Sequence, residues 1–293
     1  MIESLDGVVL EHHFADVNGI RLHYVAAGPK DGKLLVLLHG FPEFWYGWRN
    51  QIPHFARLGY RVVAPDQRGY NLSDRPKAVR EYTYAKLGGD IVALIQKLGG
   101  KAHVVGHDWG GAVTWWLASH HPEVLSSVTI LNCTRPDVLE RSFLHSRSQL
   151  RKSWYMFAFQ IPLLPELRMA RKNFDIGRRG LRSTSRKGTF SSEELDLYAE
   201  AWSRPGSLRG MINWYRAAIR GRRQKFVPIQ VPLKLIWGKK DRFLDAAFAE
   251  PSLAGCSKAE VVYLDEASHW LQHEEPARVN REIEKWLARL GLN

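Results

Sequence analysis

The chain has 293 residues, 45% of them hydrophobic, and a net charge of +12, the profile of a globular protein long enough for one α/β domain plus an insertion. No apolar run reaches the length of a membrane-spanning helix, and the first ten residues lack a basic leader segment, which argues against an integral membrane segment and a secretory signal. The two cysteines, Cys133 and Cys256, have no metal-type spacing, so a disulfide framework is excluded and a cytoplasmic location is expected.

Two strands open the chain, over 8–17 and 20–26, and read as a hairpin turned at Asn18-Gly19, a strong turn dipeptide. Short continuous runs rich in Val, Leu and Ile follow at 34–38, 61–64, 102–105 and 127–131. Such runs suit strands buried on both faces of a parallel sheet. Helical patterns separate them at 44–58, 84–98 and 110–120, and this alternation predicts a doubly wound α/β sheet. From Arg135 to about Phe226 no convincing strand appears. Ser191-x-x-Glu194 ahead of Leu195 is a capping-box signature for a helix within that stretch. Strands return at 233–237 and 260–264, and 276–290 reads as a closing amphipathic helix. The expectation is an eight-stranded, mostly parallel sheet with an α-helical cap inserted between its sixth and seventh strands. The predicted division is 1–134 for the first part of the core, 135–227 for the cap and 228–293 for the second part.

The cap also carries the charge. Between Arg135 and Lys225 there are 20 Lys and Arg against 8 Asp and Glu, so this segment alone holds the whole basic excess. A patch for nucleic acid or acidic lipid is the alternative; since no nucleic-acid motif accompanies the charge, the reading is a solvated basic surface and no nucleic-acid partner.

The strongest chemical signal is Val104-Val105-Gly106-His107-Asp108-Trp109-Gly110-Gly111, between a strand and a helix. Gly-x-nucleophile-x-Gly is the pattern of a nucleophile elbow, a strained turn that lifts one side chain above the sheet at a helix N-terminus. The residue there is Asp108. A carboxylate is ionised at neutral pH, is favoured by the helix dipole, and attacks an electrophilic sp³ carbon directly to form a covalent alkyl ester. A serine esterase is excluded for want of the serine. His39-Gly40-Phe41-Pro42, after the strand at 34–38, places the N–H of Phe41 to form an oxyanion hole with the N–H of Trp109. His39, Pro42, Trp109 and Trp270 are the expected pocket residues. Asp241 follows the strand at 233–237, and His269 lies in the loop after the last strand, giving the chain order nucleophile, acid, histidine. His269 would act as general base on water, oriented by Asp241, with Asp265 and Asp245 as rival acids.

Two stretches of the insertion carry a resemblance. Trp154-Tyr155-Met156-Phe157-Ala158-Phe159-Gln160 and Asn213-Trp214-Tyr215-Arg216 resemble the two cap motifs of epoxide hydrolases of the α/β-hydrolase fold. The stretches at 39–48 and 64–76 resemble the same family, most closely its single-domain members. The resemblance implies that Tyr155 and Tyr215 bind and polarise the epoxide oxygen, and that an epoxide is converted to a diol with water as co-substrate. It implies no metal or organic cofactor, and a monomer or homodimer is expected. A role such as detoxification, catabolism or lipid signalling would fit. The first alternative is a haloalkane dehalogenase using the same aspartate. Many of these carry Asn, a halide donor, where Phe41 stands, but Trp109 and the cap tryptophans Trp154, Trp202 and Trp214 keep indole donors in play. The second alternative is a non-catalytic, ligand-binding homologue.

Overall fold

The computed structural model describes residues 2–221 and 225–291. Its centre is an eight-stranded sheet: β3 (Glu11–Val17), β4 (Ile20–Ala27), β5 (Leu34–Leu38), β6 (Arg61–Pro65), β7 (Ala102–His107), β8 (Leu125–Leu131), β9 (Leu233–Gly238) and β10 (Ala259–Leu264). They lie in the order β10-β9-β8-β7-β5-β6-β4-β3. A separate two-stranded ribbon, β1 (Ser4–Leu5) with β2 (Val8–Val9), precedes them, so the long first strand expected from the sequence is broken at Leu10. From β6 through β10 every pairing is parallel, whereas β3 and β4 are antiparallel to their neighbours. The turn at Asn18-Gly19 takes positive φ at both residues and sets Val17 opposite Ile20.

The apolar runs behave as their composition demands. β5, β7 and β9 are buried along their whole length, because helices cover both faces of the sheet. These helices include α1 (Ile52–Arg57), α2 (Tyr84–Leu98) and α3 (Trp109–His120). Helix α3 is buried on nearly all sides, whereas α13 (Pro276–Arg289) buries the single stripe Val279, Ile283, Trp286 and Leu287. The helix expected over 44–58 is divided. Trp45–Trp48 forms a single 3₁₀ turn, and α1 starts afresh with Pro53 in its first turn, where the missing N–H does no harm. Two short helices, α11 (Ala249–Ser252) and α12 (Leu271–Glu274), complete the core.

Between β8 and β9 the described residues form seven helices, α4 (Pro136–His145), α5 (Arg147–Lys152), α6 (Trp154–Ala158), α7 (Leu164–Ala170), α8 (Asp175–Thr184), α9 (Ser192–Ser203) and α10 (Ser207–Arg220), followed by an isolated parallel bridge of Ile229 with Cys256. Helix α9 begins with the expected box: Ser191 Oγ accepts from the Glu194 N–H, and the Glu194 carboxylate accepts from the Ser191 N–H. Helix α10 lies on the core because two glycines meet there. A Cβ on Gly210 would strike the backbone of Gly69, and one on Gly69 would strike that of Gly210. Beside this contact the Trp214 indole donates to the Arg68 carbonyl at 2.9 Å. The close approach sets the height of Tyr215, the next residue on α10, above the sheet.

Candidate active site

The elbow has the geometry its glycines allow. Asp108 stands between β7 and α3 at φ 51° and ψ −119°, a backbone state that costs on the order of 1–3 kcal/mol for a non-glycine residue. Cβ atoms at Gly106 or Gly110 would enter the backbone of α3 and β5, so neither position admits a side chain. The turn lifts the Asp108 carboxylate over the carboxyl ends of the strands, where open α/β sheets gather their functional groups.

Three loops converge on that carboxylate. The loop after β5 brings the Phe41 N–H to Asp108 Oδ1 at 2.8 Å. Trp109 opens α3, so its N–H belongs to the helix turn whose donors have no partner within the helix. The loop after β10 brings His269 Nε2 to 3.4 Å from Asp108 Oδ2. On its other side His269 Nδ1 lies 2.7 Å from Asp241 Oδ2, and Asp241 follows β9. The rival acids lie elsewhere: Asp265 is 70% exposed and paired with Lys239, and Asp245 caps the short turn at Ala246–Phe248.

Asp241 is buried and held by more than the histidine. Its Oδ1 accepts the N–H groups of Phe243 at 2.6 Å and Leu244 at 2.9 Å, and its Oδ2 accepts the side-chain amide of Asn132 at 2.6 Å. Burial pushes the carboxyl up, but the His269 charge and these donors outweigh it and hold Asp241 below its ordinary value. For His269, burial alone lowers the pKa. The Asp241 and Asp108 carboxylates overturn that effect and raise it to about 10.

Sequence reasoning missed Asn132. It follows β8 at φ 40°, and its Oδ1 accepts the Gly238 N–H at 2.6 Å, locking the ends of two strands while its amide reaches Asp241. It also missed Glu43, whose buried carboxylate accepts from the Tyr198 hydroxyl at 2.7 Å and pairs with His273 at 2.8 Å. His107, inside the elbow, lies 3.3 Å from the same carboxylate and 2.8 Å from the His269 carbonyl. Burial raises the Glu43 pKa, yet His273 and His107 overcompensate and hold it well below the usual range. An acid directly after His-Gly-x-Pro, with a histidine inside the elbow, is the pattern that could have pointed to this pair.

Above Asp108 is a cavity of about 400 Å³, walled by Trp109, Tyr155 and Tyr215 together with Leu139, Phe143 and Met156. The two phenol rings meet edge to face with centroids 5.8 Å apart, and Tyr215 meets the Trp109 ring in the same way at 5.0 Å. Burial raises both phenol pKa values, so both remain protonated donors at neutral pH. Of the expected pocket residues, only Trp109 is on this wall. His39 is buried beneath the loop, where its Nε2 accepts the Gln67 N–H at 3.1 Å. The Pro42 carbonyl accepts the Trp202 indole at 2.6 Å. Trp270 turns its indole to Thr184 Oγ1 at 2.9 Å. These three hold the loops and the helical insertion in place and do not face the cavity.

A strained elbow carrying a carboxylate, an acid-backed histidine and a backbone N–H donor at the carboxyl edge of this sheet form the arrangement of an α/β-fold hydrolase. A model of the alpha/beta hydrolase fold matches residues 33–276, and the chain belongs to that family. It is 45% identical to the AB hydrolase superfamily protein YfhM of Bacillus subtilis, over 97% of this chain and 99% of that one. It is 38% identical to Epoxide hydrolase 4 of Homo sapiens, over 91% of this chain and 75% of that protein. Among solved structures, an epoxide hydrolase from Bacillus megaterium superposes with a TM-score of 0.86 at 31% identity, covering 94% of this chain and all of that one.

Proposed function

We propose that this chain is an epoxide hydrolase that forms vicinal diols through an alkyl ester on Asp108, with helices α4–α10 serving as the cap. The observation that carries the reading is the placement of one carboxylate between the Phe41 N–H and His269, beneath two protonated tyrosines. The kinship with epoxide hydrolases supports the substrate class.

In the first step Asp108 attacks a ring carbon, and the ring C–O bond breaks toward the oxygen. Tyr155 and Tyr215 donate to that oxygen, and a phenolic proton neutralises the alkoxide. The phenolate recovers its proton through solvent from the His269 imidazolium, which is the resting form at neutral pH given its raised pKa. Esterification removes the Asp108 charge, one of the two supports of that imidazolium, so the same step converts His269 into a neutral base. His269 then takes a proton from water, and the hydroxide adds to the Asp108 carbonyl. The oxyanion is received by the N–H groups of Phe41 and Trp109. Collapse cleaves the ester, and the proton on the new carboxyl passes to the departing diol. The cycle closes with Asp108 ionised, His269 charged and both phenols protonated.

Against the halide reading, the cap indoles are engaged elsewhere. Trp202 donates to Pro42 and Trp214 to Arg68, while Trp154 is 66% exposed. Intact-protein mass of a His269→Gln variant after mixing with styrene oxide tests the proposal, with 1-bromobutane in parallel. The expected result is an adduct equal in mass to the whole epoxide, located on Asp108. An alkyl adduct from the bromoalkane alone would move the assignment to dehalogenation, and tight binding without any adduct would move it to a non-catalytic ligand carrier.

A further inference from the structure

The cap presents an apolar surface to solvent in a protein whose other large side chains are mostly buried. Leu144, Trp154, Phe157, Ile161, Leu163 and Leu167 are all exposed, with Leu144 at 68% and Leu163 at 65%. They form one face. Leu144 and Phe157 line the mouth of the cavity above Asp108. Trp154 and Phe157 are three residues apart on α6, hence on one side of it. The guanidinium of Arg216 on α10 donates to the Ile161 carbonyl at 2.9 Å and holds the link between α6 and α7 to the same end of the cap. A cluster of exposed large apolar side chains in one short segment marks an interaction site.

Glu140 also lines the cavity beside Leu144, but the charge along the segment that follows is one-sided. Between Leu144 and Lys172 the basic residues are Arg147, Arg151, Lys152, Arg168, Arg171 and Lys172, and the only acid is Glu166. Glu166 is already neutralised by Arg216 at 2.5 Å. Arg147, Arg151, Arg168, Arg171 and Lys172 are exposed and face no carboxylate among the described residues. A second copy is a poor occupant, because a two-fold interface would set these cations against their own images. A nucleic-acid backbone answers the charge but offers no apolar phase for Trp154, Leu163 and Leu167. An anionic lipid surface answers both features, with basic side chains at the headgroups and aromatic and aliphatic ones at the acyl boundary.

We infer that the cap is a docking surface for anionic membranes, with Trp154, Leu163 and Leu167 entering the interface and Arg147, Arg151, Arg168, Arg171 and Lys172 meeting the headgroups. The cavity mouth at Leu144 and Phe157 then opens toward the bilayer, so an apolar substrate dissolved in lipid reaches Asp108 without crossing water. The docking does not depend on the epoxide reading, since it is measured without substrate.

The test is cosedimentation of the full chain with vesicles of phosphatidylcholine alone, or of phosphatidylcholine with one third phosphatidylglycerol, at low salt. The expected partition onto the anionic vesicles is about tenfold or more above that onto neutral ones, and it falls as salt is added. Arg147→Glu with Arg151→Glu, and separately Trp154→Ser with Leu163→Ser, each lower it by about tenfold or more, with circular dichroism and melting temperature verifying the fold. The salt dependence of the unaltered protein needs no variant. Absence of binding, equal binding to both vesicles, or insensitivity to Trp154→Ser with Leu163→Ser would overturn the inference. So would a dimer in light scattering that Trp154→Ser dissociates, or tighter binding to duplex DNA than to anionic vesicles.

Discussion

Replacing Asp108 by Asn tests the electrostatic link between the proposed nucleophile and base. His269 is 2% exposed and has carboxylates on both sides, Asp241 at 2.7 Å and Asp108 at 3.4 Å. Moving its imidazole from an ordinary value near 6.5 to about 10, against the opposing effect of burial, represents on the order of 5 kcal/mol of preference for the charged form. Both carboxylates favour the charged form, Asp241 through the closer contact. In Asp108→Asn the shape is kept and one charge is lost, so the His269 pKa should fall below that of the unaltered enzyme. NMR titration of ¹⁵N-labelled imidazole measures both values directly. The sign for stability follows from the raised pKa. This contribution is fully present below the unfolded histidine value and is lost as pH rises through about 10. Denaturant melts from neutral to alkaline pH should therefore fall more steeply for the unaltered enzyme than for Asp108→Asn. An identical His269 pKa in the two proteins would refute the reasoning, because esterification of Asp108 could not then convert the imidazolium into a base.

Asn132→Ala removes a donor from the buried Asp241 carboxylate and should destabilise the fold by about 1–3 kcal/mol, read as a shifted urea midpoint. The same change should slow ester hydrolysis more than ester formation, which single-turnover quench experiments separate. Tyr155→Phe and Tyr215→Phe should each slow ester formation by roughly 10² while leaving the rate of hydrolysis of a preformed ester close to normal, since each removes one donor to the developing alkoxide. If hydrolysis slowed as much as ester formation, the phenols would be acting on the wrong step.

Much of this architecture is legible in the sequence because it depends on neighbouring residues. The continuous apolar runs of β5, β7 and β9 state their own burial, and Gly106 and Gly110 state the sharpness of the elbow. The turn at Asn18-Gly19 and the box at Ser191 and Glu194 are equally local. Contacts between distant parts of the chain are not written this way. Asn132 reaches Asp241 only because β8 and β9 become neighbours after the helical insertion has looped out between them. Glu43 gathers His107, Tyr198 and His273 from three separate regions, and no spacing rule joins them. His39, Pro42 and Trp270 flank the reactive positions in sequence, but their polar atoms are turned away to bind backbone or side-chain partners, so adjacency misplaced them in the pocket. The divided helix after β5 fails for a related reason: the apolar pattern over Trp45, Trp48 and Ile52 reads as helical although a 3₁₀ turn supplies the first part of it.

The order of strands in the sheet has a consequence for how the protein is made. A ribosome delivers Asp108 and the Phe41 loop first, then the whole helical insertion, and only at the end Asp241 and His269. β9 can add only to the edge left by β8, and β10 only to β9. A chain ending inside the insertion carries Asp108 without the acid and the histidine that face it in the complete fold. The last two strands complete the sheet and bring the acid and the histidine to Asp108 together, so the site of this fold is closed by the final segment of the chain to be made.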